Sequence, residues 1–187
     1  RGGIYGQDLS RIGFNASKDR IIESILRPSD VINTHSINMN IGVVFSEGIQ
    51  RFLLTGNKND VLIIMEADRT SDVSRLKFLE KGIQDDNKDI IIASRYRDSG
   101  CYQRFPIPRK ILSVGANRLL GTIFPIENVS DYTIFFRAYS WRILAKMQDY
   151  FGLHGMIQSK GFSANAEILI KASYLNASIA EIPFVYD

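Results

Sequence analysis

Short unbroken aliphatic runs alternate with stretches of helical period along most of this chain, and that alternation constrains the fold more than any other feature. Residues 61–65 read VLIIM and residues 89–94 read DIIIAS. Aliphatic runs of this length, closed by polar residues, suit interior strands whose two faces are both covered by crossover helices. Around them the apolar positions recur every three or four residues. Ile41, Val44, Phe45, Ile49, Phe52 and Leu53 mark one helix face, with Gly56 as its terminator. Further helices are expected over 72–84 with Ser71 or Asp72 as cap, over 108–124 after a proline-rich turn, over 140–151 and over 165–176. A strand is expected at 177–186. Upstream, 1–15 reads as loop, 16–27 as a helix stopped by Pro28, and 30–37 as a short strand. This order predicts an α/β fold with an open, mostly parallel sheet flanked by helices. At 187 residues, 45% apolar and 23% charged, residues 1–187 are expected to form a single domain.

The net charge of +3, from 23 basic and 20 acidic residues, is too mild to argue for nucleic acid as a partner. It suits phosphate-bearing ligands or an anionic surface. The single cysteine, Cys101, excludes an internal disulfide framework and points to a reducing compartment. No stretch approaches the roughly eighteen apolar residues of a membrane span, so membrane contact is expected to be peripheral. His35 and His154 have no spacing partner for metal or triad chemistry, and Ser46 lies in no nucleophile elbow.

The run at 61–65 ends in Glu66-Ala67-Asp68. In extended backbone, residues i and i+2 point the same way, and ligands of open α/β sheets gather at the carboxyl ends of the strands. Glu66 and Asp68 can therefore converge on one ligand. Two hard oxygen donors suit Mg²⁺ or Mn²⁺ carrying substrate phosphates, since Mg²⁺ usually takes only one or two protein carboxylates. From spacing alone the same pair also reads as an acidic turn before the next helix.

Other segments join this one in a recognisable order. Ser94-Arg95-Tyr96 follows the next aliphatic run. Arg109 and Ser113 open the helix after it, Asp131 precedes Phe136-Arg137-Ala138-Tyr139, and Glu167, Lys171, Glu181 and Pro183 complete the series. From about residue 38 onward the chain resembles the family 2 glycosyltransferases of the polyprenyl-phosphate sugar synthase type, such as the dolichyl-phosphate mannose synthases. No single segment is specific, but five in order with compatible spacings are. The resemblance implies a GT-A fold in which a UDP- or GDP-linked sugar and a divalent cation, Mg²⁺ or Mn²⁺, meet the acidic motif. Asp68 is then the metal ligand, with Glu66 near the ribose or a metal-bound water.

By the same resemblance Arg95, Arg109 and Ser113 lie around the phosphate of acceptor or donor, with Ser94 beside them. Guanidinium groups bind phosphate oxygens bidentately, which lysine cannot copy. Asp131 is the candidate base or orienting carboxylate, and equally a turn or cap residue. Arg137 reads as a partner for Asp131 or for a phosphate. Glu167 faces either solvent or an acceptor groove, and Glu181 either serves the site or ends a strand. The implied reaction moves a sugar from a nucleotide donor to a polyprenyl (dolichyl or undecaprenyl) phosphate, at the cytoplasmic face of a membrane.

The match also has departures. Neither the family's first strand with its base-holding motif nor the acidic end of its second strand stands before Ala16, unless Asp8 is a remnant of the second, so the chain is expected to be a fragment lacking the first strand. Glu66 stands where Asp is usual, and DYTIFFR replaces DPTSGFR, placing Tyr132, Ile134 and Phe135 at smaller family positions. Two further readings stay open: a GT-A transferase acting on a saccharide or other hydroxyl acceptor, for which Asp131 must act as a base, and a non-catalytic nucleotide-binding relative. A nucleotidyltransferase is disfavoured, because no glycine-rich, basic phosphate loop follows a first strand.

Overall fold

The computed structural model describes residues 41–66, 71–98, 100–102, 107–159, 161 and 163–186, without the side chains of Tyr102 and Arg109. The expected loop, helix and strand over 1–37 lie outside these residues, as do Asp68, Asp8 and His35.

Helix α1 (Ile41–Thr55) leads into strand β1 (Val61–Ile64). A 3-10 turn (Val73–Arg75) and helix α2 (Leu76–Gln84) follow, then strand β2 (Ile90–Ser94) and the two-residue strand β3 (Cys101–Tyr102). Next come helix α3 (Ile107–Ile123), strand β4 (Arg137–Ser140), helices α4 (Trp141–Phe151) and α5 (Ala164–Tyr174), and strands β5 (Ile179–Pro183) and β6 (Val185–Tyr186). The domain is thus α/β, a mixed sheet flanked by helices and compatible with a GT-A-like fold.

The main sheet runs in the order β1-β4-β2-β5. Strands β1, β2 and β5 point the same way, in keeping with the parallel expectation, whereas β4 is inserted antiparallel between β1 and β2. Sequence patterning misses β4. Its four residues, RAYS, are all buried and carry no alternation, so nothing local marks them as a strand. The expected strand at 177–186 is also divided. Phe184 donates its N–H to Ser94 O at 2.9 Å while its carbonyl accepts from Cys101 N at 3.1 Å, so the chain passes from pairing with β2 to pairing with β3.

Two layers cover the sheet. Ile91 faces α2, where a Cβ on Gly82 would come within 2.7 Å of its side chain. On the other face Phe45 of α1 meets Phe135 and Tyr139 edge-on, at 6.1 and 6.5 Å between ring centres. The core joins Ile49 and Phe52 of α1, Ile90 and Ile92 of β2, Leu144 and Met147 of α4, and Ile168 and Leu169 of α5.

Local signals set the element ends. Asp72 caps the 3-10 turn, accepting from Ser74 N at 2.9 Å and from its hydroxyl at 2.6 Å. Ser140 caps α4 through Ile143 N at 3.2 Å, and Gly152 ends α4 with φ 69°, a conformation glycine adopts without penalty. Asp89 clasps the opposite edge of the sheet, accepting from Ser178 N, the Ser140 hydroxyl and Arg142 Nε at 2.9, 3.2 and 2.9 Å. Burial raises its carboxyl, and the Ser178 and Arg142 donors outweigh burial to hold it below the ordinary range.

Candidate functional site

At the carboxyl edge of the sheet Ser94, Arg95, Ser113 and Asp131 come together. Ile64 of β1 and Ile92 of β2 both lie opposite Arg137, so Glu66 and Ser94 stand at the same level of the edge, each two residues further on. Ser94 is fully buried and its hydroxyl accepts from Tyr96 N at 3.2 Å, turning the chain so that Arg95 points across the edge.

Arg95 closes onto Asp131. Its Nε donates to Oδ2 at 2.8 Å, its Nη2 to Oδ1 at 2.7 Å, and its backbone N–H to Oδ2 at 3.1 Å. Thr133 N and Ile134 N also donate to Oδ1, at 3.3 and 3.2 Å. A carboxylate offers about four lone-pair sites. Asp131 thus already accepts from five N–H groups while 0% exposed, and its geometry is that of an orienting carboxylate. Arg95 Nη2 reaches Thr133 Oγ1 at 2.8 Å, and its guanidinium lies 5.6 and 5.8 Å from the ring centres of Tyr96 and Tyr186.

Helix α3 supplies the next layer. The Ser113 hydroxyl lies 3.1 Å from Tyr96 Oη, tying the predicted Ser113 to the Ser94-Arg95-Tyr96 turn. Arg109 occupies the first turn of the same helix. One helical turn beyond Ser113, Asn117 donates to Thr133 Oγ1, Ser113 O and Tyr96 Oη at 3.0, 2.8 and 3.3 Å, and accepts from Tyr132 N at 2.7 Å. Sequence reading missed both Asn117 and Thr133. The available signal was spacing: Asn117 is i+4 from Ser113, and Thr133 is i+2 from Asp131.

Glu181 of β5 holds the same turn from the other side. Its Oε1 accepts from Ser130 N and Asp131 N, both at 2.8 Å, while Oε2 is buried without a hydrogen bond. Burial pushes its carboxyl above the ordinary glutamate range and the nearby Asp131 charge adds to this, against the pull of the two N–H donors and of the Ser94 hydroxyl. Glu181 is therefore part of the cluster and not merely a strand end.

Arg137 lies deeper. It is 0% exposed, donates to Asn165 O at 2.7 Å and to the Asp131 carbonyl at 3.2 Å, and its Nε has no hydrogen bond. Its link to Asp131 thus runs through the backbone. Asn165 in turn donates to the Ile134 carbonyl. Glu167 and Lys171 stand apart: Glu167 accepts from Gln158 N and Ser159 N, Lys171 donates to Gly155 O, and the two pair with each other, fastening the 155–159 loop to α5.

The bulky residues of DYTIFFR turn inward. Tyr132, Ile134 and Phe135 are 1%, 2% and 7% exposed, and Tyr132 Oη donates to Phe124 O at 2.8 Å. Cys101 and His154 are exposed, and Ser46 lies within α1. Among the described residues no group of three or more metal-ligating side chains is present, and Asp68 is outside them. No described helix is long and apolar enough to cross a membrane.

An α/β domain whose mixed sheet gathers arginine, serine and carboxylate residues at its carboxyl edge is the class that fold and site define. Within that class the chain is similar to polyprenyl-phosphate mannosyltransferases, as its motifs imply. It is 27% identical over 144 residues to a dolichol-phosphate mannosyltransferase of Pyrococcus furiosus, covering 75% of this chain and 38% of that protein. It is 28% identical over 127 residues to an undecaprenyl-phosphate mannosyltransferase of Micrococcus luteus, covering 68% and 49%. A polyprenol monophosphomannose synthase of Mycolicibacterium smegmatis is 27% identical over 126 residues, covering 67% and 45%. The chain thus spans less than half the length of each of these curated relatives. No family model matches it.

Proposed function

We propose that this chain forms the glycosyltransferase part of an enzyme that moves a sugar from a nucleotide donor to a polyprenyl phosphate, at the cytoplasmic face of a membrane. The observation that carries this reading is the convergence of Arg95, Ser113 and the Asp131 turn at one sheet edge, in a chain similar to three polyprenyl-phosphate mannosyltransferases. An oxygen of the acceptor phosphate forms the new bond to the sugar's anomeric carbon as the bond from that carbon to the nucleoside diphosphate breaks, its electron pair leaving with the diphosphate. An ionised phosphate has no proton to surrender, so no general base is required.

The state of Asp131 supports a phosphate acceptor over a hydroxyl one. A hydroxyl acceptor calls for a base with a free lone pair, and this carboxylate already accepts from five donors. Asp131 instead fixes Arg95, and this reading assigns Arg95, Arg109, Ser94 and Ser113 to the phosphate of acceptor or donor. Glu66 and Asp68 would hold Mg²⁺ or Mn²⁺, which when bound supplies positive charge against the departing diphosphate. UDP- and GDP-linked sugars are the donor candidates.

The test is calorimetric titration of the chain with UDP, GDP and their sugars in Mn²⁺ or Mg²⁺ and then with chelator, followed by transfer to a polyprenyl phosphate. Metal-dependent binding lost in Asp68→Ala, and transfer abolished in that folded variant, are expected. Retained turnover in Asp68→Ala would overturn the metal-bound donor site. Donor binding with transfer only to hydroxyl acceptors would overturn the phosphate reading, and binding without any turnover would assign the chain to the non-catalytic class.

A further inference from the structure

The consecutive backbone N–H groups of residues 130–134, between α3 and β4, each donate to a side-chain oxygen. Ser130 N and Asp131 N go to Glu181 Oε1, both at 2.8 Å, and Tyr132 N goes to Asn117 Oδ1 at 2.7 Å. Thr133 N and Ile134 N go to Asp131 Oδ1, at 3.3 and 3.2 Å. A turn whose N–H groups are satisfied in this way takes its shape from the side chains that hold it.

Asp131 is held at both ends of its backbone. Its N–H is taken by Glu181 of β5, and its carbonyl accepts from Arg137 Nη2 of β4 at 3.2 Å. Two strands thus fix the peptide groups that flank its Cα, which sets the direction in which its side chain leaves the turn. That side chain meets Arg95 at both carboxylate oxygens. Glu181 reaches this point from a strand at the edge of the sheet, where a glutamate ordinarily stays in water. Its Oε2 is enclosed, and the charge of Asp131 lies close by. Enclosing two carboxylates together opposes folding, so stability alone is not what Glu181 supplies.

We infer that Glu181 is a positioning residue for the phosphate site: through the N–H groups of Ser130 and Asp131 it sets the Asp131 carboxylate and, through that, the direction of the Arg95 guanidinium. The inference rests on the reading of Arg95 as a phosphate ligand for its purpose, but one arm of its test needs no turnover.

The experiment compares Glu181→Ala, Glu181→Asp and Glu181→Gln in the whole chain. Glutamine keeps an oxygen within reach of both N–H groups, whereas aspartate keeps the charge and falls one methylene short. The first readout is solvent exchange of the Arg95 Nε–H, followed in nitrogen–proton correlation spectra and assigned with Arg95→Lys, since that proton is protected while Asp131 holds it. Exchange about tenfold faster in Glu181→Ala and Glu181→Asp is expected, with Glu181→Gln returning to within about threefold of the parent. The second readout is steady-state transfer. KM for polyprenyl phosphate should rise about tenfold in the same two variants, donor KM should move less than about twofold, and glutamine should rescue the acceptor KM.

Asp89→Asn, at the opposite edge of the sheet, lowers stability without touching the turn and should move neither readout. Unchanged Arg95 exchange in folded Glu181→Ala and Glu181→Asp would overturn the inference, as would an equal change in Asp89→Asn. Where Glu181→Ala does not fold, the contrast between the aspartate and glutamine variants decides. Faster Arg95 exchange in a chain whose parent transfers nothing to polyprenyl phosphate would remove the acceptor reading and leave the positioning role standing.

Discussion

Arg95 and Asp131, 36 residues apart, meet in a two-point ion pair that is almost wholly enclosed, with Nε and Nη2 at 2.8 and 2.7 Å from the two carboxylate oxygens. Removing one member of such a pair strands the other charge in a medium that solvates it poorly. Asp131→Ala is therefore expected to lower the unfolding free energy by about 3–5 kcal/mol. The double variant with Arg95→Ala should lose clearly less than the two single losses added together, and a denaturant-based mutant cycle measures the difference.

Asn117 makes four hydrogen bonds that clip α3 to the 131–133 turn and to Tyr96. Asn117→Ala leaves Tyr132 N buried without its acceptor, at an expected cost of about 1–3 kcal/mol. Asn117→Asp should not recover it, because an oxygen then faces the Ser113 carbonyl where an N–H stood. Under the phosphate-acceptor reading both variants also weaken acceptor use more than donor binding, which a comparison of KM values for the two substrates reads directly.

Gly82 lets α2 pack closely on Ile91 of β2. A methyl group there meets Cδ1 and Cγ1 of Ile91 at 2.7 Å, and Ile91 is 2% exposed. Alanine's better helix propensity offsets part of the overpacking, so Gly82→Ala is expected to cost about 1–2 kcal/mol net. Adding Ile91→Val should restore part of it in thermal melts.

Asp89 gives the sheet an acid-sensitive edge. Its carboxyl is lowered in the folded state, so the stability it contributes is complete above the ordinary carboxylate range and is lost as pH falls through that range toward the lower folded value. Asp89→Asn should flatten the pH dependence of unfolding below about pH 5 and cost about 2–4 kcal/mol near neutrality.

Glu181 has the opposite sign. Its carboxyl is raised, so stability falls as pH climbs from the ordinary glutamate range to the folded value. Glutamine keeps an oxygen for Ser130 N and Asp131 N and removes the ionisation, so Glu181→Gln should melt at a higher temperature than the parent near neutral pH. Urea titrations across the acid and neutral range would show the two curves converging at low pH.

Features that depend on neighbours a few residues away were legible in the chain before folding. The period of Phe45, Ile49 and Phe52 drew α1, the aliphatic runs drew β1 and β2, Asp72 marked its turn, and the acidic and Ser94-Arg95-Tyr96 segments stood at the ends of strands where an α/β sheet gathers ligands. The partners across the sheet came from three-dimensional packing. That RAYS is a central antiparallel strand, that Tyr132, Ile134 and Phe135 face the core, that Asp131 is consumed by Arg95, and that Glu181 and Asn117 brace the same turn all follow from register across the sheet and the docking of α3. Range separates the two. Periodicity and capping are written into a few consecutive residues, whereas a buried hydrogen bond between residues tens of positions apart is chosen by which packing leaves the fewest polar groups unpaired.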